Sequence, residues 1–208
     1  NCIVYFNTDT NGVTGNVSTN WASLSFSCTT PLPGAGGVSN LAADPQFVNL
    51  GATNLHLAQN SPCIDAGTED GAPAIDLDGI SRPLDGNNDG VAAFDIGAHE
   101  FVHTNADTDA DGQLDIEEVL AGTDATNSVR KFTAGGTSQN DGGAAYVISW
   151  QSCARRQYSV MKKTSLLSAW SEVPGQTNLP GTGTLMIYTN PTPDAGPEFY
   201  SVRAKKCE

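Results

Sequence analysis

Apolar positions in this chain fall in short runs, and the runs differ between its two halves. Up to about residue 103 they are brief and irregularly spaced: CIVYFN, ASLSFSC, PQFVNL, NLHLAQ, CIDAG and FDIGAHEF, parted by turns rich in Gly, Asn and Pro. Runs of this kind predict short strands. After residue 130 the runs lengthen and alternate apolar with polar: AAYVISWQS, QYSVMKKT, TLMIYTN and EFYSVRAKK. Turn signals separate them, at CARR, SLLSAW, LPGTG and TPDAGP. Alternation turns one face inward, and Trp150, Tyr158, Val160, Ile187, Tyr200 and Val202 are the expected core of this half. Helical spacing occurs once, over about 115–121, with Gly122 as its expected stop. The pattern therefore predicts a mainly β chain in three parts: a β-rich module at 1–103, a linker at 104–129 and a β-sandwich at 130–208.

In the first part the periodicity suits the terminal coils of a parallel β-solenoid, and suits a sandwich nearly as well. In the last part about six strands are expected, where a sandwich of immunoglobulin or fibronectin type III kind usually has seven. The FTAGG or SEV segment is the alternative source of a seventh.

The linker carries the sharpest chemistry. Residues 107–118 read DTDADGQLDIEE. Asp107, Asp109 and Asp111 alternate along a loop that Gly112 lets turn sharply. Gln113 would offer its carbonyl, Asp115 a direct or water-mediated oxygen, and Glu118 a two-oxygen closure. This is the ligand order of a calcium loop; the competing reading is a solvated acidic linker. A second acidic run, DLDGISRPLDGNNDGVAAFD, places Asp85, Asn87 and Asp89 at every second position, with Asp95 or Asp76 as a further oxygen. It has no glutamate at position 12, and an Asx-and-Gly turn explains it more simply.

Three resemblances add to this reading. DTDADGQLDIEEVLAGTDATNS, residues 107–128, resembles a bacterial thrombospondin type 3 repeat, which implies a joint between domains of a secreted protein and Asp124 as a further ligand. The order NCIVYFN, SCTTPLPGAGGVSNLAADPQFVNL, NLHLAQNSPCIDAG, DLDGISRP, FDIGAHEF resembles the last coils and cap of bacterial right-handed parallel β-helix proteins of the choice-of-anchor type. The resemblance covers only the final coils and cap, and a chain of this extent is expected to lack the long helix that would carry a lyase groove. Residues 143–204 resemble C-terminal modules of secreted bacterial proteins.

Charge and cysteine set the surroundings. Residues 1–129 hold 18 acidic side chains and one base, Arg82, whereas 130–208 hold nine bases and five acids, for a net charge of −13. Opposite halves of this kind can attract within or between molecules. No basic patch is joined by an aromatic platform, so nucleic acid is not an expected partner. No apolar run is long enough for a membrane helix, and no signal peptide is recognised. Of Cys2, Cys28, Cys63, Cys153 and Cys207, none forms a CxxC pair. In an extracellular setting disulfides are expected, with Cys153 and Cys207 as natural partners.

Catalytic signatures are weak. HEFVH at 99–103 matches a zinc-protease motif only in letters, because that chemistry needs a helix and this run reads as strand. No nucleophile elbow or phosphate loop is present. Trp170 is expected as a core or turn anchor more than as a sugar platform. The expectation is a non-catalytic, calcium-stabilised structural or adhesive protein, secreted or at the bacterial surface. It is expected to self-associate, through an exposed solenoid end near CIVYF or an open sandwich edge, against a compact monomer as the alternative. A carbohydrate-binding C-terminal part of a β-helix polysaccharide lyase, with glycans as partners, is the alternative function.

Overall fold

A computed structural model describes residues 1–7, 16, 24–32, 37–139 and 145–207. The chain is mainly β, in several small sheets. It divides into two compact units: Asn1–Ile116 with Asp124–Ser128, and Glu117–Thr123 with the chain from Val129 onward. The segment read as a linker contributes to both, and the chain passes between them within its helix α1 (Asp115–Ala121).

In the first unit, β1 (Cys2–Val4) and β2 (Ser27–Thr29) pair in parallel, with Ile3 opposite Cys28. Cys28 also bridges Leu41 in parallel. The Leu41 amide donates to the Ser27 carbonyl at 2.9 Å, and the Thr29 amide to the Leu41 carbonyl at 2.8 Å. Ile3, Cys28 and Leu41 thus form one row of passes running the same way, which a hairpin cannot make. An antiparallel pair follows, β3 (Phe47–Asn49) and β4 (Asn54–Leu57), closed by a 3₁₀ turn at Leu50–Ala52. Cys28, Leu57, Cys63 and Ile96 form the buried core, with Ile3, Tyr5, Leu41 and Phe47 against it.

CIDAG and FDIGAHEF do not form the strands their apolar residues predict. Carboxylates replace a ladder there. Asp95 accepts from the amides of Asp65 (2.8 Å) and Phe101 (2.6 Å), and Glu100 from that of Leu84 (3.2 Å). Asp76 accepts from the amides of Asp78, Ile80 and Glu100. Backbone donors are thereby satisfied without a neighbouring strand. Gly97 fits this corner through its positive φ of 137°, and a Cβ there would lie 3.2 Å from Ile3 Cδ1.

Arg82 closes the arrangement. Its Nε donates to Glu100 Oε2 at 2.6 Å and its Nη2 to the Asp95 carbonyl at 2.9 Å. The Arg82 and Glu100 side chains are 2% and 1% exposed. Burial, and then Glu100 beside it, push the Asp95 carboxyl up to about 8.

The second unit holds seven strands among the described residues, not six. β5 (Ala134–Gln139), β6 (Ala145–Gln151) and β10 (Leu185–Asn190) form one antiparallel sheet in the order β10-β6-β5. In the other, β7 (Arg156–Lys163) pairs with β8 (Ser171–Glu172), β9 (Leu179–Pro180) and β11 (Phe199–Lys206). Seven strands leave no missing one to open an edge. Ile148, Trp150, Tyr158, Val160, Val173 and Val202 build one core from both sheets, with Tyr200 packed against it. Ile187 is a correction: it is 60% exposed, and Met186 and Tyr188 are the β10 residues that meet the core. With a period of two, a parity error moves a side chain to the opposite face.

All five cysteines are free thiols, Cys153 and Cys207 included, so the expected pairing is not formed. Cys153 Sγ instead meets the Gly122 carbonyl at 3.1 Å. Cys28 and Cys63 are the buried pair, and burial, with Cys28 alongside, pushes the Cys63 thiol up to about 12.

Two predictions follow from these contacts. Arg82→Met leaves Glu100 buried without its cation and should destabilise the first unit by about 3–5 kcal/mol, read as a lower urea midpoint. Adding Glu100→Gln should recover part of that loss, and an Arg82→Met protein that unfolds like the parent would refute the role. In the second unit Lys162 Nζ lies 2.5 Å from Glu198 Oε1 and 2.8 Å from Asp194 Oδ2. Burial opposes ionisation of Glu198, but hydrogen bonds from Lys162, the Asp194 amide and Tyr200 outweigh it and hold the carboxyl at about 2. An unfolded glutamate titrates near about 4.3. The stabilisation is therefore complete above that pH and is lost as pH falls toward 2. Thermal melts across this window should show the loss, and Glu198→Gln should flatten it.

Candidate metal centres

Among the described residues, two groups of side chains converge closely enough to share a cation: Asp107–Asp109–Asp111 and His56–Asp78–His99. The first is the loop singled out by its spacing. Asp107 curls it by accepting from the amides of Asp111 (3.1 Å) and Gly112 (2.9 Å). Ala110 and Gly112 take positive φ values of 58° and 93°, and a Cβ on Gly112 would meet nothing within 4 Å. Glycine is favoured there for its backbone, not for space. The three carboxylates offer oxygens within 4.8 Å of one another. Asp109 Oδ2 is enclosed and has no hydrogen-bond partner. Burial, and then the charge of Asp111, raise the Asp109 carboxyl above the usual range.

The other residues of the pattern are placed individually. Asp115 is fully buried, and its two oxygens accept from the Thr108 amide at 2.8 Å and the Thr108 hydroxyl at 2.7 Å. The Gln113 amide donates to Asp111 Oδ1 at 2.8 Å. Glu118 is fully buried, with Oε1 3.3 Å from the Thr123 hydroxyl. Asp124 opens a turn in which Oδ1 accepts from the Thr126 hydroxyl at 2.8 Å. α1 ends as its sequence predicts: Gly122 has φ 82°, and the amides of Gly122 and Thr123 both donate to the Glu118 carbonyl.

The second acidic run adopts the same local hydrogen bonding. Asp85 accepts from the amides of Asp89 (3.0 Å) and Gly90 (2.8 Å), while Asn88 and Gly90 have φ values of 60° and 90°. Its chemistry differs. Asn87 and Asp89 are exposed, and Asp95 serves the backbone amides of Asp65 and Phe101. Asp85, Asp89 and Asp95 do not form a converging group, and the run reads as an Asx turn.

No spacing in the sequence signals the histidine group, because its members are far apart in the chain and in different local structures. His56 lies on β4, Asp78 in the turn after Asp76, and His99 in the bend that follows Gly97. Residues 99–103 form no helix, so HEFVH does not present two histidines on one helical face. His103 instead packs near the Phe101 ring. Trp170 is 40% exposed, with Lys163 Nζ 4.6 Å from its ring centroid. No helix among the described residues is long and apolar enough to cross a membrane. Comparisons of the chain with protein-family models, with curated proteins and with solved structures found no match.

Proposed function

We propose that this chain is a non-catalytic structural or adhesive protein, secreted or held at the bacterial surface, that binds calcium in the loop beginning at Asp107 and associates with copies of itself. The observation that carries the calcium reading is the convergence of Asp107, Asp109 and Asp111, with Asp109 Oδ2 enclosed and unpartnered. Converging carboxylates repel one another, and burial raises the cost of ionising Asp109. A hard cation would remove both penalties and supply the missing partner. Gln113, Asp115 and Glu118 complete the calcium pattern in sequence. Calcium here would supply charge neutralisation and order in the loop, without a chemical step.

The fold supports the rest more loosely. The parallel row through Ile3, Cys28 and Leu41 is compatible with terminal solenoid coils. Two antiparallel sheets around one core are compatible with a sandwich of immunoglobulin or fibronectin type III kind. β1 pairs on one side only among the described residues, leaving an edge that a second copy could extend. The alternative, a carbohydrate-binding part of a polysaccharide lyase, has less behind it, since Lys163 already lies over the ring of Trp170.

Calorimetry with calcium should show binding heat together with a rise in melting temperature, and Asp107→Asn with Asp109→Asn should abolish both. No heat and an unchanged melting temperature in the parent would end the calcium reading. Light scattering and electron microscopy with and without a chelator test association separately, and a strict monomer at high concentration with calcium would end that part.

A further inference from the structure

We infer that His56, Asp78 and His99 form a second metal site of a different class, for a divalent transition metal of zinc type. His56 Nε2 lies 2.6 Å from Asp78 Oδ2, and His99 Nδ1 lies 3.4 Å from the same oxygen. The three ligand atoms fall within 4.8 Å of one another, and the two imidazoles stack with centroids 3.9 Å apart. Zinc bonds of about 2.0–2.1 Å to nitrogen and oxygen put neighbouring tetrahedral ligand atoms about 3.4 Å apart. The His99–Asp78 separation already has that value, whereas the more exposed His56 would have to withdraw from Asp78 and swing out of its stack on His99, since in-plane lone pairs on one tetrahedral ion hold ring centroids about 5 Å apart.

Each ligand is held by groups behind it. His56 Nδ1 is 2.6 Å from Asn54 Oδ1, which also accepts the His56 amide at 3.1 Å. The ring proton therefore sits on Nδ1, and in the neutral ring the Nε2 lone pair faces the Asp78 carboxylate. Two lone pairs at 2.6 Å require a cation between them, either a proton or a metal. A proton there serves His56 alone. The His99 side chain is only 11% exposed, and its Nδ1 is enclosed with no hydrogen-bond partner, because the Asp78 contact at 3.4 Å is an ion-pair distance without hydrogen-bond geometry. One metal ion satisfies both rings and the carboxylate together. The Asn54 contact is the outer-shell partner that metal-bound histidines ordinarily have.

The rest of the fold fixes Asp78 beside His99. The Asp78 and Ile80 amides both donate to Asp76 Oδ1 at 2.8 Å, the Leu77 amide to the Ala98 carbonyl at 3.0 Å, and the Glu100 amide to Asp76 Oδ2 at 3.0 Å. Two imidazole nitrogens and one carboxylate oxygen suit zinc, cobalt, nickel or copper, not calcium. The His56 side chain is 44% exposed, so the site opens to solvent and leaves a fourth position for water.

The test is zinc calorimetry and cobalt absorption on the whole chain, with calcium saturating and the exposed thiols of Cys2 and Cys207 alkylated. One zinc per chain and a tetrahedral cobalt spectrum are expected. His56→Ala and His99→Ala should each abolish the cobalt spectrum, while Asn54→Ala should weaken zinc binding about 10–100-fold. His103→Ala should change neither. His56 is partly exposed, so its variant keeps the test valid if His99→Ala fails to fold. No zinc binding by the parent, or binding that survives His56→Ala, would overturn the site and leave a shared proton as the occupant.

Discussion

Arg82 is the one base among the first 129 residues, and it lies in the interior, where its guanidinium meets Glu100 and the Asp95 carbonyl. Removing a guanidinium from water is costly unless its hydrogen bonds are replaced. Here they are replaced by groups from the 94–101 segment, which has no strand of its own. The contact therefore anchors a stretch that regular pairing leaves unsupported. Ile96 reaches the core from this stretch, and His99 stands beside Asp78 on it. The Asp85 amide, three residues beyond Arg82, donates to the Thr108 hydroxyl, which donates in turn to Asp115. The backbone from Arg82 to Asp85, with these two hydrogen bonds, thus links the buried guanidinium region to the acidic loop.

The same acidic residues explain why so little of this unit is regular sheet. A carboxylate can accept several amide protons at once, so one aspartate can satisfy donors that would otherwise need a partner strand. Asp76 and Asp95 do this in the interior, and Asp85 and Asp107 do it in two loops with matching hydrogen bonds. Matching backbone does not give matching chemistry. At the third position one loop has exposed Asn87, and the other has Asp109 with an enclosed, unpartnered oxygen. A neutral amide in water carries no charge to offset, whereas an enclosed carboxylate beside two others meets both burial and repulsion.

Legibility in the sequence followed how local the cause was. β6, β7, β10 and β11 were readable because alternation is a property of neighbouring residues, and the stop at Gly122 because a left-handed φ favours glycine. Ile187 was misassigned because an apolar side chain can occupy the outer face of an edge strand, where Leu185 is also exposed. CIDAG and FDIGAHEF were misassigned because their aspartates act as acceptors for distant amides, which no local pattern records. The convergence of Asp107, Asp109 and Asp111 was legible for the opposite reason: the three alternate along one short loop. His56, Asp78 and His99 converge only through the turn at Asp76 and the bend after Gly97. Only one histidine of the HEFVH match belongs to that cluster.

α1 shows how short elements persist in such a chain. Seven residues are too few to hold a helix by propensity, since isolated helices below about 12–15 residues are marginal in water. Its end carbonyls are taken by side chains of the second unit: Val119 by Arg156, Ala121 by Tyr158 and Gly122 by Cys153. Arg156 also sets a cation at the negative end of the helix. At the other end, Asp115 is fixed by Thr108 and by its own amide bond to the Ala106 carbonyl. The helix is therefore specified from outside at both termini, and the acidic loop lies immediately before the end held by Asp115. A cation that orders this loop would act beside a helix too short to stand alone, at the point where the chain leaves the first unit.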